Sequence, residues 1–169
     1  MTKKIIPIFL LFLSFTSLAS GNEEYREKMR DLIREIRANT TNDRIIIIQN
    51  GSEVYFKNGE PDQNFLPYVN GASQESLFYG EEGKLGKKTS NKERNSLLKN
   101  LIQIKSSGKT VLDVNYSKNK NNRKNIEEEN KKYGFIGEEI PSFTADVLNV
   151  PIKAFNRKDI YSLEDAENF

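Results

Sequence analysis

Apolar and polar positions divide the chain into recognisable elements. From 23 to 38, Tyr25, Met29, Leu32, Ile33 and Ile36 recur at helical spacing. Charged residues fill the other positions, which predicts an amphipathic helix. A turn cluster at 39–43 leads into the run Ile45-Ile46-Ile47-Ile48. Unbroken β-branched residues predict a strand covered on both faces, as in a parallel sheet. Gln49-Asn50-Gly51 ends it with a turn signal.

Beyond this point the pattern is mixed. Residues 53–56 suit a short helix, and Gly59, Pro61 and Pro67 mark a loop. Residues 68–72 predict a short strand. Ser90 followed by Glu93 has capping-box spacing and opens a second helix. Leu97, Leu98, Leu101, Ile102 and Ile104 are its apolar stripe, and Gly108 stands where a helix ends. Residues 110–116 predict a strand, 121–132 a polar outer helix with Ile126 as its single interior aliphatic residue, and 135–136 a fourth short strand. The tail after Pro141 reads as irregular, with short turns near Val147 and at 162–167. Strands starting near 45, 69, 110 and 135 with helices between them predict an α/β fold of parallel βα repeats.

The N-terminus reads differently. Lys3 and Lys4 precede an apolar run over 5–15, and Ser17 and Ala19 are small residues suited to a cleavage site. Residues 1–19 are therefore expected to be a secretory signal peptide, with an uncleaved anchor as the alternative. The run is short of the roughly 20 residues that span a bilayer. An exported protein, secreted or periplasmic, is expected. Lys3 and Lys4 belong to the 26 basic residues, so 24 basic and 24 acidic residues follow the leader. The slightly basic total thus gives no reason to expect a nucleic-acid partner.

Composition narrows the chemistry. The chain has no cysteine, histidine or tryptophan. Disulfides, thiol nucleophiles and Ser-His or Cys-His pairs are excluded, and most zinc sites with them. No metal or organic cofactor is expected. Catalysis would fall to carboxylates, hydroxyls or lysine.

Parallel sheets carry functional loops at the C-terminal ends of their strands. Those ends offer Gln49 and Asn50, then Glu75, then Asp113 and Asn115, then Glu138 and Glu139. Such a set suits hydroxyl-rich ligands or paired-carboxylate hydrolysis, or consists of ordinary loop carboxylates. Leu77, Phe78 and Tyr79 follow Glu75 closely. Apolar neighbours would desolvate its carboxyl and raise its pKa toward that of a general acid. The alternative is a helix N-terminal glutamate favoured by the dipole. Asp113 and Asn115 lie two apart on a strand and share a face. They need partners there, line a site, or mark an edge. Lys84, Lys87 and Lys88 in the glycine-rich loop 80–86 and just after it are either solvated or contacts for an anion. The mixed-sign run 118–132 reads as a solvated face, with contact of its basic first part, 118–124, with an acidic polymer as the alternative.

The stretches Ile-Ile-Ile-Gln-Asn-Gly (46–51) and Val-Asn-Gly-Ala-Ser-Gln-Glu-Ser-Leu-Phe-Tyr-Gly (69–80) resemble glycoside hydrolase family 114. That family includes secreted endo-α-1,4-polygalactosaminidases. The preceding helix and Gly-Lys-Thr-Val-Leu (108–112) occur in the same order, so the resemblance spans about 23–140. It implies a (β/α)8 TIM barrel, of which this chain would hold the C-terminal half, about four strands. The domain would run over 20–140, with 141–169 as its tail. The resemblance also implies retaining hydrolysis of an amino-sugar polysaccharide, with Glu75 as acid/base after the sixth strand. Gln49 and Asn50 match active-site residues after the fifth. Tyr79 and Asn115 are further substrate-binding candidates.

Two departures accompany the match. The family tends to place an acidic residue directly before the seventh-strand Tyr, where this chain has Asn115. The family's nucleophile, an aspartate after the fourth strand, has no counterpart in this sequence. About 150 residues follow the leader, whereas a whole barrel takes about 250. Asp113 is the candidate second carboxylate, since adjacent strands lie about 4.7–4.9 Å apart. The alternatives are a non-catalytic glycan-binding remnant and a truncated reading frame. An open half-barrel would expose strand edges and invite self-association or a complementary half.

Overall fold

A computed structural model describes residues 23–143. The signal peptide expected at residues 1–19 and the turns expected after residue 143 lie outside the described residues. No described helix is long and apolar enough to cross a membrane.

The first helix, α1 (Glu23–Ala38), matches its predicted limits. Its buried side is not the whole apolar stripe. Ile33 is buried, and Met29 and Ile36 pack against the core. Tyr25 and Leu32 face outward, and Arg30 takes an interior position instead.

The strand β1 (Ile47–Gln49) follows, with Ile46, Ile47 and Ile48 all buried. The expected helix near 53–56 is a 3-10 turn, Ser52–Tyr55. The stretch read as a loop contains an antiparallel hairpin, β2 (Phe56–Lys57) with β3 (Glu60–Pro61). Asn58 and Gly59 both have positive φ at its tip, the geometry an Asn-Gly hairpin turn requires.

A second 3-10 turn, Leu66–Tyr68, occupies the start of the strand expected at 68–72. The strand β4 (Gly71–Glu75) therefore begins later and ends at Glu75. Next comes α2 (Asn91–Ser106), whose N-cap Ser90 accepts a hydrogen bond from the Glu93 amide. Leu98, Leu101 and Ile104 of this helix are buried, while Ile102 is exposed.

The strand β5 (Thr110–Tyr116) leads to α3 (Lys120–Tyr133) and then β6 (Ile136–Ile140). α3 is less solvated than its polarity predicts. Asn130, one helical turn after Ile126, is also buried. Gly137 makes this fit: a Cβ there would lie 2.2 Å from Asn130 Nδ2.

The four main strands form a parallel sheet in the order β1-β4-β5-β6. Partners in parallel strands point the same way, and residues two apart share a face. One face carries Ile48, Ala72, Val111, Asp113, Asn115, Gly137 and Glu139. The apolar members Ile48, Ala72 and Val111 join Ile33, Leu98, Leu101, Ile104 and Ile126 of the helices in one buried cluster. The face turned away from the helices carries Gln49, Ser73, Glu75, Leu112, Val114, Tyr116 and Glu138.

Candidate functional site

Glu75 closes β4 on the face turned away from the helices. Its carboxylate accepts two hydrogen bonds, from Asn50 Nδ2 at 2.8 Å and from the Tyr116 hydroxyl at 2.6 Å. Asn50 reaches it through a left-handed turn, φ 55°, a conformation asparagine tolerates. The Asn50 amide donates to the Ser73 carbonyl, and its Oδ1 accepts from the Glu75 amide and from Gln74 Nε2. The end of β1 thereby fixes the end of β4 and keeps one side-chain N–H for the carboxylate.

Tyr116 ends the neighbouring strand. Burial and the adjacent Glu75 carboxylate both raise its phenol pKa, so it stays protonated and donates. A hydrogen bond to an ionised acceptor is short and strong. The Tyr116 ring stacks on Phe143, with centroids 4.2 Å apart and planes 25° apart. Phe143 is 42% exposed. The loop after Glu75 passes close to this ring at Gly80, where φ is 119° and a Cβ would lie 3.0 Å from Tyr116 Cδ2. Glycine allows both the turn and the approach.

The remaining sequence-derived candidates divide between the two faces. Gln49 pairs with Ser73, two residues before Glu75, and so lies on the same face. Asp113 pairs with Gln74, not Glu75, and points to the opposite face. It cannot be the carboxylate 5–5.5 Å from Glu75 that retention needs. Asp113 Oδ2 accepts from Asn115 Nδ2 at 2.6 Å and Asn130 Nδ2 at 2.8 Å. Burial pushes its carboxyl up to about 7, against the lowering effect of those two donors.

Asn115 and Tyr79 are engaged on the helical side of the sheet and not beside the Glu75 carboxylate. Asn115 is 0% exposed. Its Oδ1 accepts from the Phe78 and Tyr79 amides, at 2.9 and 3.0 Å, and shapes the loop over the strand end. The Tyr79 hydroxyl donates to Asn125 Oδ1 of α3, in the helical layer. Both residues hold the scaffold behind Glu75.

Two side chains join the Glu75 face that the strand-end pattern does not single out, Tyr116 and Phe143. Glu138, one of the strand-end carboxylates, lies in one row with Glu75 and Val114 across three strands. It is half-buried, and desolvation raises its carboxyl pKa. Strand alternation was the available signal, since Tyr116 falls on the opposite face from Asp113. Glu139, next to Glu138, points into the helical side and is buried. Among the described residues no group of three acidic side chains is placed to hold a metal ion.

The chain matches no known protein-family model, and no curated protein matches it.

Proposed function

We propose that this is an exported protein that binds an amino-sugar polysaccharide on the Glu75 face of its sheet. The scaffold is then one part of a (β/α)8 barrel, as the resemblance to glycoside hydrolase family 114 implies. The observation that carries the proposal is the held carboxylate: Glu75 is fixed between Asn50 and Tyr116, beside the Tyr116–Phe143 stack. Sugars are recognised by aromatic rings against their apolar faces and by polar groups against their hydroxyls. Charge favours an amino sugar in particular. The strand residues on this face include Glu75 and Glu138 and no lysine or arginine. A deacetylated galactosamine unit carries an ammonium group, which such a face attracts.

A second reading is hydrolysis with Glu75 as acid/base. Glu138 favours it, because it supplies a carboxylate on the same face. Two strand spacings separate their backbones by roughly 9.5 Å. That spacing suits inversion, where the carboxyls stand about 6.5–9.5 Å apart, better than retention.

Calorimetric titration with an α-1,4-galactosamine oligosaccharide tests both readings. The parent chain should bind, and more weakly once the amines are acetylated. Glu75→Gln should lose about tenfold or more in affinity, the worth of one charged hydrogen bond. Asp113→Asn should bind as the parent does. Equal affinity of parent and Glu75→Gln would refute the site. Release of a product with inverted anomeric configuration would add the hydrolytic reading.

A further inference from the structure

Outside the Glu75 face, the helical layer contains a cavity of about 220 Å³ between α2 and α3. Phe78 and Leu98 are among its lining residues, and Lys88, Arg94, Asn95, Asn125 and Lys132 bring hydrogen-bond donors to it. Lys88, Arg94 and Lys132 line it against a single carboxylate, Glu129.

The charges are not balanced internally. Lys132 reaches Glu129 at 3.7 Å, a long ion pair. The Arg94 guanidinium donates to Asn91 Oδ1 at 2.9 Å and has no carboxylate partner among the described residues. Lys88 has no ion pair among them either. Asn125 adds a neutral donor. Its Oδ1 accepts from the Tyr79 hydroxyl, and its Nδ2 has no acceptor among the described residues.

These groups are held in place by the fold. Lys88 is fixed by a backbone bridge to Tyr79. Its neighbour Thr89 donates from its amide to the Phe78 carbonyl and from its hydroxyl to the Ser76 carbonyl. Arg94 stands in the first turn of α2, where the helix dipole is positive.

We infer that this cavity binds a small oxyanion: a phosphate, sulfate or carboxylate group gripped by Arg94, Lys88 and the Asn125 amide. Arginine presents a planar fork that matches such oxygens in pairs, while lysine contributes a point charge. The site lies on the helical side of the sheet and does not depend on the glycan proposal. An anionic substituent on a saccharide and a free inorganic anion share the required chemistry.

The test uses the full chain in ¹H–¹⁵N NMR titrations with inorganic phosphate, inorganic sulfate and glucuronate, with chloride as the control. Saturable shifts at residues 88–95 and 125–133 with at least one of the three oxyanions are expected. Their relative affinities separate a free inorganic anion from a sugar carboxylate. Arg94→Gln and Lys88→Gln should each weaken binding, Arg94→Gln by about tenfold. Both change partly or fully exposed side chains, so an unchanged spectrum elsewhere establishes that they fold. Glu75→Gln should leave anion binding intact. No saturable shift with any oxyanion, shifts outside the cavity, or an unchanged affinity in Arg94→Gln would overturn the inference.

Discussion

Asp113 lies beneath the sheet with Asn115 and Asn130 donating to one of its oxygens, while Oδ1 has no partner among the described residues. A buried carboxylate in such a setting favours its neutral form, and its pKa is pushed up to about 7 from an ordinary 3.8. The folded state then binds the proton more tightly than the unfolded state. The resulting stability is complete below about pH 4 and is lost as pH rises through about 7. Denaturation at pH 5 and pH 8 should therefore show the parent chain less stable at the higher pH. The slope is at most about 1.4 kcal/mol per pH unit for one proton. Glu27, held down at about 2 chiefly by its hydrogen bond from Arg34, titrates below this window and does not mask the effect. Asp113→Asn should make the profile shallower, leaving the same-sign contribution of Glu138 and Glu139, whose carboxyls burial also raises, and an equally steep profile in that variant would show that Asp113 is not responsible. At this scale the two-residue spacing of Asp113 and Asn115 was legible, including their shared face. Which face it is depends on where α3 packs, and no local pattern encodes that. The pairing of Glu75 with Tyr116 was hidden for a related reason. It depends on the register of two strands whose ends are 41 residues apart.

At the level of elements, α1 is joined to the hairpin by Arg30, which is 0% exposed. Its Nε donates to the Val54 carbonyl at 2.9 Å, and a second guanidinium nitrogen donates to the Phe56 carbonyl. Nη1 donates to Glu23 and Glu27, each at 2.7 Å. A fully buried arginine is tolerated because both backbone carbonyls and carboxylates surround it. Arg30→Ala would leave two carbonyls and two carboxylates without this donor. A loss of about 2–4 kcal/mol in denaturant unfolding is expected. Arg30→Lys should recover only part of it, because one ammonium cannot reach all four acceptors. A loss under about 0.5 kcal/mol would contradict this role. The helices and β5 were readable from periodicity and caps, since long regular segments repeat their signal. β4 was displaced because Pro67 favours a turn that consumed its expected start. The hairpin is only faintly legible although Asn58-Gly59 marks it, because its strands are only two residues each.

Over the whole molecule, four parallel strands are built and no barrel closes among the described residues. β1 and β6 each pair with one neighbour in that sheet, so each has an outer edge that no described strand covers. Open parallel edges invite pairing with another chain. Light scattering after size exclusion should therefore report an assembly of two or more chains, and a stable monomer at all concentrations would contradict this. Parallel βα order was legible from the spacing of the elements, and it correctly puts Glu75 at a strand end. Barrel closure was not legible, because it depends on how the outermost strands meet. The most direct test of the glycan-binding claim is amide chemical-shift mapping with an α-1,4-galactosamine oligosaccharide. Saturable shifts are expected at Asn50, Glu75, Tyr116 and Glu138, with a midpoint at least about tenfold higher in sugar for Glu75→Gln. Shifts confined to the helical layer, or none at saturating sugar, would contradict it.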